Sequence, residues 1–323
     1  MPREALMGIG VGLASAAASL AFIAGIPFAF IFLYFSPLPL IAVGLIAGLR
    51  VTLIASIVCL LVTAGFGGFL FMLTLNAGQT FAAILVVYLS LMRLDIGDNR
   101  ELDIRDEWYP IGHLVSCLTI CSVFFLCILA AFTINPGLSV LVSSYVGEAI
   151  EMMTSHIPHM KIEGRDLFGD IIATRYPGFV GANWIIMICI NSALAQAISI
   201  RLEKNLRPKP TYFQINLPFW LSWPFVSAAT ITLVGTGEFG YLGRNAAILL
   251  ATPYFLLGLA VLHYLAQKVS YRRPLLIVLY IVLLGSLKPL IMGENAWPIL
   301  LVTSIGVLEN WIGLRARIKG TPS

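Results

Sequence analysis

Ala246-Ala-Ile-Leu-Leu-Ala-Thr-Pro-Tyr-Phe-Leu-Leu-Gly-Leu-Ala-Val-Leu-His-Tyr-Leu265 runs for 20 residues without an Asp, Glu, Lys or Arg. At about 1.5 Å per residue, a helix of that length covers the roughly 30 Å of a bilayer's hydrocarbon. Every backbone N–H and C=O at that depth needs a partner within the protein, so only helices and closed barrels cross lipid. Barrel strands alternate apolar and polar residues over about ten positions, and this run does not alternate. It reads as a membrane-crossing helix.

The rest of the chain repeats the pattern. Of its 323 residues, 59% are hydrophobic and 11% charged, with a mean hydropathy of +0.92. Soluble domains carry about 25% charged residues to keep their surfaces wet; this chain has too few for that. The fold class is therefore all-α, a polytopic transmembrane helical bundle forming a single integral membrane domain over residues 1–323. Residues 6–92 are long enough for four crossings, with breaks at Gly25-Ile-Pro27, Gly48-Leu-Arg50 and Gly65-Phe-Gly-Gly68. Further spans are expected at 108–133, 179–200, 212–235, 243–267, 274–292 and 296–314, about ten in all, or eight if the first block makes only two. Pro37 and Pro39 each remove a ladder donor and should kink or locally unwind the second span. The first apolar run reads as a signal anchor. No internal repeat is detected, so an inverted-repeat transporter is not supported.

The net charge of +4 is not gathered into a nucleic-acid-binding patch; the basic residues stand at the ends of apolar runs. Cytoplasmic loops are enriched in Lys and Arg. A cytoplasmic N-terminus puts fifteen of the 20 Lys and Arg inside, and only Lys161, Arg165, Arg175, Arg244 and Lys288 outside. Both termini are thus expected in the cytoplasm, whether the spans number ten or eight. The outer segment 136–178 carries Leu138, Leu141, Val142, Tyr145, Ala149, Met152 and Met153 at helical spacing, which predicts an amphipathic helix lying on the outer membrane boundary or capping the bundle. Leu167, Phe168, Ile171 and Ile172 suggest a second, shorter one.

Catalytic motifs are missing: there is no H-E-x-x-H, G-x-S-x-G or Walker A sequence, so an enzyme is not expected. No cofactor or metal site is expected either. Cys59, Cys117, Cys121, Cys127 and Cys189 lie in apolar runs and read as small hydrophobes; His156, His159 and Glu163 in the outer segment read as solvated. Ionisable groups inside spans are costly and mark interiors or cavities; here they are Glu309, His263 and Lys288. Glu309 and His263 fall at similar depth, which allows a direct pair, while Arg315 or Arg317 offers Glu309 an alternative partner. Lys288 is expected to extend outward toward Glu294. Asn76, Gln79, Asn191 and Gln196 lie deep in spans, as candidates for a solute site or for interhelical hydrogen bonds. The first span is rich in small residues, among them Ala14 and Ala18, whose spacing suits close approach of another helix.

Several short stretches carry a family resemblance: Ser36-Pro-Leu-Pro-Leu-Ile-Ala-Val-Gly-Leu45, Leu217-Pro-Phe-Trp220, Arg244-Asn245 with Tyr254-Phe-Leu-Leu-Gly-Leu-Ala-Val-Leu-His263, and Gly306-Val-Leu-Glu-Asn-Trp-Ile-Gly-Leu-Arg315. In these the chain resembles the YybS-like bacterial inner-membrane proteins, the domain-of-unknown-function family DUF2232. The resemblance implies a multi-pass protein of the bacterial inner (plasma) membrane. More distantly the chain is similar to the substrate-binding S-components of energy-coupling-factor transporters, which dock a membrane partner through small residues of their first helix, a role it implies for Ala14 and Ala18. It departs from them in its number of spans and in the outer segment. The leading expectation is a protein that binds or transports a small solute, in contact with the lipid bilayer and with another membrane protein through its first helix; the alternative is an envelope scaffold.

Overall fold

A computed structural model describes residues 2–93, 108–156, 165–287 and 296–319, without the side chains of residues 2, 153–156, 165–168 and 319. Among the described residues there is no β-strand, and one isolated bridge joins Arg93 to Trp108. Seven helices among the described residues are long and apolar enough to cross a membrane: Arg3–Ile23, Ala29–Ala47, Leu49–Gly67, Phe69–Leu91, Ile111–Phe132, Tyr176–Arg201 and Gly237–Ala266. The first block therefore supplies four such helices, as its length suggested. The last two expected spans and the seventh appear in shorter pieces, Phe219–Val234, Arg272–Gly285 and Trp297–Ile312. Large apolar side chains stand outward throughout; Phe66, Phe132 and Leu233 are each more than four-fifths exposed. That is the surface expected of helices whose solvent is lipid.

The chain divides into two compact units, residues 1–114 with 184–211, and residues 115–183 with 212–323. The first holds α1 (Pro2–Ile23), α2 (Ala29–Tyr34), α3 (Pro37–Ala47), α4 (Leu49–Gly67), α5 (Phe69–Phe71), a π-helical stretch Met72–Asn76 and α6 (Ala77–Leu91). Glycines set its packing. A Cβ on Gly8 would sit 2.9 Å from Ile54 Cγ2, and one on Gly12 would sit 2.8 Å from Val58 Cβ. A Cβ on Gly67 would meet Ile23 and Leu20. The pairs advance together along both helices, so α1 and α4 run parallel, as alternate crossings must. Small residues at such seams let backbones approach closely.

Between α2 and α3 the helix tightens rather than unwinds. Ser36 N–H donates to Leu33 O at 3.3 Å and Leu38 N–H to Phe35 O at 3.1 Å, both one residue short of the α-helical step. Pro37 and Pro39 supply no N–H there.

In the second unit, α12 (Gly237–Ala266) lies against α11 (Ser222–Val234) and α14 (Trp297–Ile312). Gly258 and Gly306 make the α12–α14 crossing: a Cβ on either would collide with a backbone carbonyl of the other helix, that of Val302 or of Tyr254. Leu217, Leu221, Ala228, Leu250, Tyr254 and Leu257 form a buried core beside them. The described residues of segment 136–178 include two helices, α8 (Leu138–His156) and α9 (Arg165–Ala173). Leu138, Val146 and Ile150 are buried, whereas Leu141, Tyr145 and Met152 are exposed. The inward stripe follows strict four-residue steps onto Ala173, Ile172 and Tyr176, which the apolar pattern alone did not separate from the outward one. Glu238, at the start of α12, accepts from Ser139 N–H at 3.2 and 3.3 Å and from the Ser139 hydroxyl, holding the first turn of α8. Met153, Leu167 and Phe168 fall outside the described side chains, and His159 and Glu163 outside the described residues.

Candidate functional site

The break at Phe35–Ser36 gathers polar side chains in the middle of the first unit. Ser15 on α1 donates to Ser36 O at 2.6 Å, and the Ser36 hydroxyl donates to Gln79 Oε1 on α6. Cys59 Sγ on α4 lies 3.6 Å from Ser15 Oγ. From α10 (Tyr176–Arg201), Asn191 Nδ2 donates to Tyr34 O at 3.0 Å and to Met187 O at 2.8 Å. Carbonyls near a proline break need outside donors, and these side chains provide them.

One helical turn from this chain of contacts stand three more buried groups: Ser19 beyond Ser15, Ser56 before Cys59 and Asn76 before Gln79. The hydroxyls of Ser19 and Ser56, and Nδ2 of Asn76, have no hydrogen-bond partner; nor does Oδ1 of Asn191. Asn76 is 1% exposed and closes the π-helical stretch; such bulges occur frequently at functional sites. An unsatisfied polar group at this depth is costly. His113 Nδ1 is likewise buried without a partner. Among the described residues, every such side-chain atom belongs to the first unit.

Three of the four expected polar residues, Asn76, Gln79 and Asn191, thus converge around one helix break. Gln196 does not join them. Its Nε2 donates to Arg207 O at 3.2 Å, where Asn205 also donates at 2.8 Å, and Arg207 Nη2 reaches Tyr109 O at 2.8 Å. Gln196 fastens the connector after α10. Ser15, Ser19, Ser36 and Ser56 were not singled out in the sequence. Their signal was there: Ser15 with Ser19, Ser56 with Cys59 and Asn76 with Gln79 each repeat at three or four residues, marking one polar face per helix.

The expected ionisable residues behave differently. Glu309 is paired with Arg315 and does not contact His263. Arg315 Nε meets Glu309 Oε1 at 2.8 Å, and Arg315 N–H meets Oε2 at 2.9 Å. Gly313, at φ +63°, turns the chain back so that α15 (Leu314–Lys319) brings Arg315 under the end of α14. The same guanidinium donates to Phe213 O, Ile215 O and Asn216 Oδ1, each at 2.7 Å. His263 Nδ1–H donates to Leu259 O at 2.8 Å, and the Tyr280 hydroxyl donates to its Nε2 at 3.3 Å. Lys288 and Glu294 lie outside the described residues. Nearby, Ser222 Oγ accepts from Trp311 Nε1 at 2.9 Å and Asn310 Nδ2 at 3.2 Å, and lies 3.2 Å from the Tyr254 hydroxyl. This is a satisfied structural network.

On α1 the buried face toward α4 is Gly8, Gly12, Ser15 and Ser19, while Ala14 is exposed and Ala18 half-buried. His113 precedes Cys117 by four residues, which puts both on one face of the helix Ile111–Phe132. Among the described residues, no three His, Cys, Asp or Glu side chains are placed to hold a metal.

Long apolar helices, lipid-facing surfaces and a proline-broken helix define a multi-pass integral membrane protein. The chain belongs to the family described as predicted membrane protein (DUF2232), whose model matches residues 14–293. No curated protein and no solved structure matches it.

Proposed function

We propose that the protein is a non-enzymatic component of the bacterial inner membrane that recognises a small solute within its first unit, with both termini in the cytoplasm. The observation that carries this reading is that, among the described residues, every buried side-chain N or O without a partner lies in the first unit, with Ser19 and Asn76 one helical turn from the Ser15–Ser36–Gln79 contacts and Asn191 bonded to Tyr34 O beside them. Unpaired groups at lipid depth cost stability unless a ligand engages them. The charge balance of the loops supports the orientation. Solute movement across the membrane would then draw on a partner or an ion gradient, since the chain has no Walker A motif. The exposed Ala14 on α1 suits a partner helix.

The test is thermal stabilisation of the purified protein across a panel of small metabolites. A ligand present at about 100 times its Kd stabilises by roughly 2.7 kcal/mol, a shift of several degrees. A flat response across the panel would instead favour the second reading, an envelope scaffold, to which the filled Gly258–Gly306 crossing is suited.

A further inference from the structure

We infer that the solute recognised in the first unit is uncharged and both donates and accepts hydrogen bonds, an inference that rests on the solute-binding reading above. Residues 5–49, 51–92 and 184–200 contain no Asp, Glu, Lys, Arg or His. An ion held beside Ser36 and Gln79 would give up its hydration and meet no countercharge, which is prohibitively costly in a low-dielectric interior. Broken membrane helices often serve anions through the free N–H groups of a half-helix. Here that device is disabled. Pro37 and Pro39 in the first turn of α3 have no N–H, and the Leu38 N–H is already bonded to Phe35 O.

What remains is a set of neutral groups in need of partners. Asn76 Nδ2 can only donate, Asn191 Oδ1 can only accept, and the Ser19 hydroxyl does either; Ser56 lies on the far side of the Ser15–Cys59 contact and stands apart from them. A polyol or a primary amide matches that complement; a simple hydrocarbon or an inorganic ion does not.

The experiment uses the full chain in glycerol-free detergent, with glycerol, glucose and nicotinamide as uncharged probes and glutamate, choline and inorganic phosphate as charged ones. At least one uncharged probe should raise Tm in a saturable way, and the charged probes should not. Asn76→Leu should leave the Tm of the unliganded protein unchanged or higher, since it removes an unpaired donor, and should weaken the half-saturating concentration tenfold or more. Ser19→Ala provides the same comparison should Asn76→Leu fail to fold. Stabilisation by a charged probe alone would overturn this inference while leaving solute recognition standing. An uncharged probe acting equally on wild type and both variants would move the site elsewhere and overturn it too. No response to any probe would remove the inference and the reading beneath it together.

Discussion

Arg315 shows how far a single side chain can reach. It is 7% exposed, and its guanidinium binds Glu309, two backbone carbonyls and Asn216. Removing one member of a buried ion pair leaves the other uncompensated, at a cost of about 3–5 kcal/mol. Arg315→Ala should therefore lower the melting temperature steeply, and Glu309→Gln less, because the amide keeps an acceptor for the guanidinium. Arg315→Lys should rescue little, since an ammonium lacks the planar fork that serves several acceptors at once. Differential scanning fluorimetry in detergent separates these variants; equal melting of all three and wild type would refute the clamp. The sequence marked Glu309 as an expensive residue but left its partner open. Depth along a straight helix favoured His263; the reversal at Gly313 decided for Arg315, and a left-handed turn is not visible in hydropathy.

At the scale of elements, the strongest constraint is the α12–α14 crossing. Gly258→Ala and Gly306→Ala each place a methyl on an opposing carbonyl, and overpacking of this kind costs about 1–3 kcal/mol. Gly285, where an added Cβ would meet no other side chain or packed neighbour within 4 Å, supplies the control: Gly285→Ala should be neutral or slightly stabilising, as alanine favours a helix over glycine by about 0.5–1 kcal/mol. Equal melting temperatures for the three would show that the helices separate without penalty. Glu238 offers a second test. Its loss in Glu238→Ala removes the acceptor for the first turn of α8, so protease cleavage near Ser139 should accelerate while the core of α12 stays protected. Runs of apolar residues predicted where the long helices lie and that α3 would be disturbed at its prolines. They did not reveal the π-helical stretch at 72–76, nor which of two apolar stripes on α8 turns inward.

For the whole molecule, composition sufficed to identify a helical membrane protein, because an 11% charged chain of this length cannot coat itself for water. The division into two units was not legible: no composition shift or repeat accompanies it, and it depends on long-range packing. The charge asymmetry makes a topological prediction. Lys204→Cys and Arg317→Cys should react with an impermeant maleimide only after the cells are opened, and Arg244→Cys should react in intact spheroplasts. The reverse pattern would invert the orientation.

The absence of Asp, Glu, Lys, Arg and His from residues 5–49 and 51–92 also has an electrical side. A membrane potential does work only on charge, about 2.3 kcal/mol for each elementary charge moved through 100 mV. The only charged side chains on these four helices, Arg3, Glu4 and Arg50, stand in first turns, so rearrangement of the helix interiors moves no charge and polarising or depolarising a vesicle should leave its balance where it was.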